Sequence, residues 1–153
     1  MKHRLILGLL LASFIAVLAA CGGGTTPSGG GTTPSGSQEV QVTLSEYKIT
    51  SSMTTFSTGT PYHFVVTNTG KAAHEFMIMP SGMNMQHMSM DEMHHAALFM
   101  FDTVAPGETK TFDFTFNQSM MSNQSMMGQN FEFACHLPGH YEAGMRLPVT
   151  INR

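Results

Sequence analysis

The stretch Cys135-His136-Leu137-Pro138-Gly139-His140-Tyr141-Glu142-Ala143-Gly144-Met145 constrains this chain more than any other. A cysteine, a histidine five residues on and a methionine five further sit in a loop containing proline and glycine. The loop lies between two segments that read as strands, 131–135 and 147–151. Thiolate and imidazole bind copper in both oxidation states, and a weak thioether favours Cu(I) without forbidding Cu(II). A tight loop between strands can present all three side chains to one point. A second histidine then has to come from elsewhere, and His74 opens a strand-like run just after a turn.

The chain has two cysteines, and the other has a different setting. Met1-Lys2-His3-Arg4 is a short basic region, 5–20 is an apolar run, and Cys21 follows directly. The run is too short and too early for a comfortable transmembrane helix and has the form of a secretory signal. Leu18-Ala19-Ala20-Cys21 resembles a bacterial lipobox. That resemblance implies cleavage before Cys21 and lipidation of its sulfur; an ordinary signal peptide with an incidental cysteine is the plainer reading. Two or three acyl chains anchor stably where one is marginal. With Cys21 lipidated, Cys135 has no partner in the chain, and a lone thiol in an oxidising compartment needs another job.

Residues 22–37 are almost wholly Gly, Thr, Pro and Ser, and Thr25-Thr26-Pro27-Ser28-Gly29 returns as Thr32-Thr33-Pro34-Ser35-Gly36. Such a segment buries no apolar surface and reads as a tether. The expected organisation is a signal peptide at 1–20, a lipidated cysteine and tether at 21–37, and one folded domain at 38–153. A net charge of −3 with 11% charged residues offers no basic footprint for nucleic acid.

The folded part reads as strands. Val40, Val42 and Leu44 alternate with polar residues, and Tyr47-Lys48-Ile49 continues that strand or begins the next. The run 61–67 is β-branched and aromatic and closes on Asn68-Thr69-Gly70; 74–79 ends at Pro80. Ala105-Pro106-Gly107-Glu108 is a turn before the alternating stretch 109–116. Short strands separated by Gly, Pro and Asn turns predict an all-β, antiparallel sandwich. One piece, 91–100, predicts a helix, with Ser89 as N-cap and acidic residues in the first turn.

These residues together resemble the cupredoxins, the type 1 blue copper family. The segment from Asn68-Thr69-Gly70 to His74 looks like the family's first-ligand region, and Cys135 to Met145 like its ligand loop. The C-x4-H-x4-M spacing is similar to that of auracyanin and rusticyanin. The resemblance implies a Greek-key β-sandwich with one short helix in an insert. It also implies one type 1 copper held by His74, Cys135, His140 and Met145. Two positions depart from the pattern: many members carry Asn after the first histidine and Thr or Ser after the cysteine, where this chain has Glu75 and His136. They alter what surrounds the ligands rather than the ligands. Strand alternation turns His136 away from the metal, and His63 reads as a strand residue without a metal role.

Methionine is the other anomaly, with 15 residues and no tryptophan. One insert carries Met83, Met85, His87, Met88, Met90, Met93, His94 and His95; another repeats Asn-Gln-Ser-Met-Met and carries Met120, Met121, Met126 and Met127. Methionine usually fills gaps in a core, but these stretches are otherwise polar, and thioethers beside imidazoles suit Cu(I). Both inserts are expected at the pole away from Cys135, as a second copper site.

Two functions remain open on these grounds. One is single-electron transfer between redox protein partners in the cell envelope, by a monomeric domain anchored to the membrane. The other is copper tolerance, by sequestering or delivering copper through the inserts. Catalysis of the multicopper-oxidase or copper nitrite reductase kind uses several such domains and further copper sites, so the chain is not expected to be an enzyme.

Overall fold

The computed structural model describes residues 36–82, 88–122 and 130–152. The segment 1–20, Cys21, most of the tether, and Met83, Met85, His87, Met126 and Met127 lie outside the described residues. Among the described residues no helix is long and apolar enough to cross a membrane.

Among the described residues nine strands form two sheets. The first has the order β2-β1-β4-β7, from β1 (Gln38–Ser45), β2 (Lys48–Ser51), β4 (Pro61–Asn68) and β7 (Thr109–Thr115). The second has the order β3-β9-β8-β5-β6, from β3 (Thr55–Ser57), β5 (His74–Pro80), β6 (Phe99–Val104), β8 (Phe131–Ala134) and β9 (Arg146–Asn152). Alternation sets the inner faces: Val40, Val42 and Leu44 of β1 and Tyr62, Phe64 and Val66 of β4 are all buried. Between the sheets Phe56, Phe64, Phe76, Phe116, Phe131 and Phe133 form the centre of the core. The Greek-key sandwich expected from the sequence is the observed fold.

Its sheets are mixed rather than purely antiparallel. β1 runs parallel to β4, and β3 parallel to β9, while the remaining pairs are antiparallel. Strand patterning reports which face is buried and carries no sign of direction, so the parallel pairs had no sequence signature.

The expected helix is α1 (Met90–Ala96), and Ser89 caps it in a full capping box with Glu92. It stops short of residue 100 because Phe99 and Met100 pair with Ile78 and Met77 as the start of β6. The apolar run 98–101 followed by Thr103 and Val104 was the available strand signal. A second helical turn, α2 (Gln118–Ser122), opens the other methionine insert.

Candidate metal centre

His74 is delivered by a turn that is bonded on every side. Asn68, fully buried at the end of β4, donates from Nδ2 to the carbonyls of Ala72 and Val104, both at 2.8 Å. Its Oδ1 accepts from the Gly70 N–H at 2.9 Å. The Glu46 carboxylate accepts from the N–H groups of Lys71 and Ala72, which holds its carboxyl below the usual range. Asn68→Ala strips two carbonyls and one N–H of these partners, and His74 loses its approach. The expected cost is about 2–4 kcal/mol, read as a lower denaturant midpoint at unchanged slope, with weaker copper binding. A midpoint within error of wild type would show that the turn is held otherwise.

The other ligands come from the loop between β8 and β9, which closes on itself. Cys135 N–H donates to the Met145 carbonyl at 3.1 Å, and Met145 N–H donates to that of His140 at 3.0 Å. His140 N–H donates to the Leu137 carbonyl at 2.9 Å. Gly139 and Gly144 hold φ of 82° and 100°, backbone that a side chain strains, which is why this tight a loop uses glycine.

The result is a convergence. One donor atom each from His74, Cys135 and His140 lies within 4.8 Å of the others. The two Nδ1 atoms are 3.3 Å apart, and Cys135 Sγ is 3.4 Å from His140 Nδ1. With zinc's bond lengths as a yardstick, a first-row ion sits about 2.0–2.3 Å from such donors, spacing them by roughly 3.2–3.8 Å. The residues present therefore fit a metal, and thiolate with two imidazoles suits copper. His74 and Cys135 are buried while His140 is partly exposed.

The electrostatics agree. Burial pushes the Cys135 thiol up, opposed by the backbone N–H groups of Leu137 and Glu75, the latter 3.4 Å from the sulfur. Those two donors favour a thiolate once a cation replaces the proton. Burial, then the charge of His140, pulls His74 down, so its ring is neutral and ready to ligate at neutral pH.

Met145 is fully buried in the main core, bonded through its backbone to both Cys135 and His140. The described insert residues differ in burial. Met93 is buried, Met88, His94 and Met120 are half-buried, and His95 is exposed. Met90 and Met121 lie on α1 and α2. Where the first insert begins and the second ends, Pro80 pairs with Phe131, and Ser81 N–H donates to the Asn130 carbonyl at 2.7 Å. His63 bonds Asp113 at 2.7 Å.

Three further residues lie near this cluster, of which only Tyr47 had no role in the sequence reading. Tyr47 holds φ of 60°, is 52% exposed, and sets its ring edge-on to His140 at 5.3 Å between centroids. Its signal was a lone aromatic in a Ser-Glu-Tyr-Lys turn, which is weak. Glu75 and His136, the two departures from the family pattern, are both buried, and the Glu75 carboxylate accepts from the His136 N–H at 3.1 Å. Burial pushes the carboxyl of Glu75 up from its ordinary 4.5, against the pull of that N–H.

A raised carboxyl means that the native state holds its proton more tightly than the unfolded chain does. Glu75 thus favours folding most below about pH 4.5 and loses that contribution as pH rises through its native value. His74 and His136, both pulled down by burial, act in the opposite sense. The metal-free wild type compared with Glu75→Gln isolates the carboxyl. The wild type should lose stability relative to the variant with rising pH, by at most about 1.4 kcal/mol per pH unit. A difference that is flat between about pH 4 and pH 8 would contradict the assignment.

No protein-family model matches the chain. The copper-resistant cuproprotein CopI of Vibrio cholerae serotype O1 is 40% identical over 86 residues, which are 54% of this chain and 45% of that protein. The chain thus spans less than half the length of the curated relative it matches. Among solved structures, the dithionite-reduced auracyanin of Roseiflexus castenholzii superposes with a TM-score of 0.55 at 19% identity, covering 76% of this chain and 98% of that one. Auracyanin B gives 0.55 at 17%, over 79% and 93%. A multi-copper oxidase from Pediococcus acidilactici gives 0.50 at 16%, over 80% of this chain but only 28% of the oxidase. The fold is that of the cupredoxins.

Proposed function

We propose that the chain is a type 1 copper protein of the cell envelope, held to the membrane by lipid on Cys21, that passes single electrons between redox partners. The observation that carries this reading is the convergence of His74, Cys135 and His140 on one point. Bound there, copper would supply a one-electron Cu(II)/Cu(I) couple.

The chain's own residues do the rest. His74 is fixed by the Asn68 turn and His140 by the closed loop, so the donors keep their places whichever oxidation state they hold. Met145, buried and bonded through its backbone to Cys135 and His140, would supply a thioether to the copper. Two N–H groups on the Cys135 sulfur spread its negative charge. His74 and Cys135 are shut off from solvent, and His140 leads to the surface beside Leu137, Pro138 and Tyr47, where a partner can approach. Among the described residues there is one cysteine-centred cluster, which suits a carrier better than an oxidase.

A second reading is copper tolerance. The similarity to a copper-resistant cuproprotein favours it, as does the contact between the start of one methionine insert and the end of the other. Deleting the gene separates the two. Slower respiration without copper stress supports electron transfer; copper sensitivity with unchanged respiration supports tolerance and overturns the first reading.

A further inference from the structure

On β5 and β8 the outer face of the five-stranded sheet is buried as well as the inner face. Along β5, Phe76 and Ile78 enter the main core, so Glu75, Met77 and Met79 point outward. Along β8 and just beyond, Phe131, Phe133 and Cys135 point in, and Glu132, Ala134 and His136 point out. All six outward residues are buried, His136 the most exposed of them at 8%. Ala97, Met100 and Tyr141 pack over Met77, Met79 and Ala134. A layer made only for packing would use leucine and isoleucine; this one holds two thioethers, an imidazole and two carboxylates.

Most of its polar atoms are accounted for. Glu132 accepts from the Tyr141 hydroxyl at 2.7 Å, and the His136 ring stacks on Tyr141 at 4.5 Å. Two features are not explained this way. His136 Nε2 stands 2.9 Å from Met79 Sδ, a distance usual for a smaller oxygen acceptor rather than for sulfur. His94 Nε2 on α1 is buried and has no hydrogen-bond partner among the described residues. His94 lies three residues before Ala97, the C-cap of α1, and Ala97 itself packs on this layer.

We propose that His136 Nε2, Met79 Sδ and His94 Nε2 form a second metal site beneath α1, selective for Cu(I). Imidazoles and a thioether are soft enough for Cu(I), and the thioether favours Cu(I) over Zn(II). A single positive charge is also the least costly to bury, and the Glu75 carboxylate lies beside it to balance it. The site shares no ligand with the His74, Cys135 and His140 cluster, so it stands or falls without the type 1 reading. It is distinct from a site made by the polar stretches of the inserts, because His136 and Met79 belong to the sheet.

The test uses the full chain carrying Cys21→Ser and Cys135→Ser, so that no thiol competes. It is titrated anaerobically with Cu(I) against a chromophoric chelator. A tight equivalent should remain, and adding Met79→Leu or His136→Phe should weaken it by about 10–100-fold or more. Leucine nearly conserves volume, and phenylalanine keeps a ring on Tyr141. Equal binding with and without these substitutions overturns the site. Should a variant fail to fold, methionine methyl NMR of the same thiol-free chain decides. The Met79 methyl, identified by its contact with Ala134, should shift with the first equivalent of Cu(I). A Met79 methyl that stays still while other methionines move overturns the proposal. The type 1 assignment is read separately, from the visible spectrum of the Cu(II)-loaded wild type.

Discussion

Replacing Cys135 by serine will abolish the intense visible absorption of the Cu(II)-loaded chain. The band belongs to charge transfer from a thiolate sulfur, and Cys135 is the free cysteine of the described domain, buried against His140. Serine leaves a hydroxyl that can still accept from the Glu75 N–H, so the fold should survive with a stability change of about 1–2 kcal/mol. Copper itself need not be lost, because His74 and His140 remain. What disappears is the thiolate signature, and with it the soft donor that holds Cu(I) and Cu(II) in one place. The wild-type band should also form more readily as pH rises. Burial keeps the thiol protonated at neutral pH, so each copper displaces one proton, and apparent affinity gains about tenfold per pH unit below the thiol's native value. An intense band surviving in Cys135→Ser would sink the type 1 assignment outright.

The convergence of His74, Cys135 and His140 was legible in the sequence for a physical reason. Cys135, His140 and Met145 share one short loop, so their spacing alone limits where they can point, and Pro138, Gly139 and Gly144 announce a tight loop. His74 was legible through the turn before it, since Asn68-Thr69-Gly70 is a chain reversal whose chemistry is local. The outer layer of the second sheet was not legible. Strand alternation correctly turned His136 away from Cys135, yet it could not say that α1 and Tyr141 would close over that face and bury it. Alternation assigns a residue to a face; only tertiary packing decides whether that face meets water. β6 was lost for a related reason, because Phe99-Met100-Phe101 fits a buried helix end as well as a strand.

The core was readable in kind and unreadable in rank. Thr109–Thr115 and Phe116 offer three phenylalanines at alternate positions, Phe112, Phe114 and Phe116, with equal weight in the pattern. The structure separates them: Phe116 is fully buried, while Phe112 and Phe114 are only partly so. A fully buried phenylalanine that meets rings from both sheets lies elsewhere, on β8.

Phe133→Ala is accordingly expected to cause the largest loss of stability of any single truncation considered. The Phe133 ring lies 5.8 Å from that of Phe56, 6.0 Å from Phe64 and 5.2 Å from Phe76, centroid to centroid, so it touches strands of both sheets. Deleting it removes the transfer free energy of a fully buried ring and leaves a hole that rigid neighbours cannot collapse into, about 3–5 kcal/mol together. Against a total stability of roughly 5–15 kcal/mol for a domain of this kind, that is a large share, and Tm should fall by roughly 15 °C or more. Phe114→Ala, at the half-exposed edge of the same core, should cost less than half as much. Because Phe133 sits two residues before Cys135 on the same strand, the metal-free Phe133→Ala chain should also bind copper more weakly at temperatures well below its Tm. A drop of less than about 5 °C, or a larger effect from Phe114→Ala, would mean that β8 does not anchor the sandwich. It would then be hard to see what holds the Cys135 sulfur against two histidines from different parts of the chain.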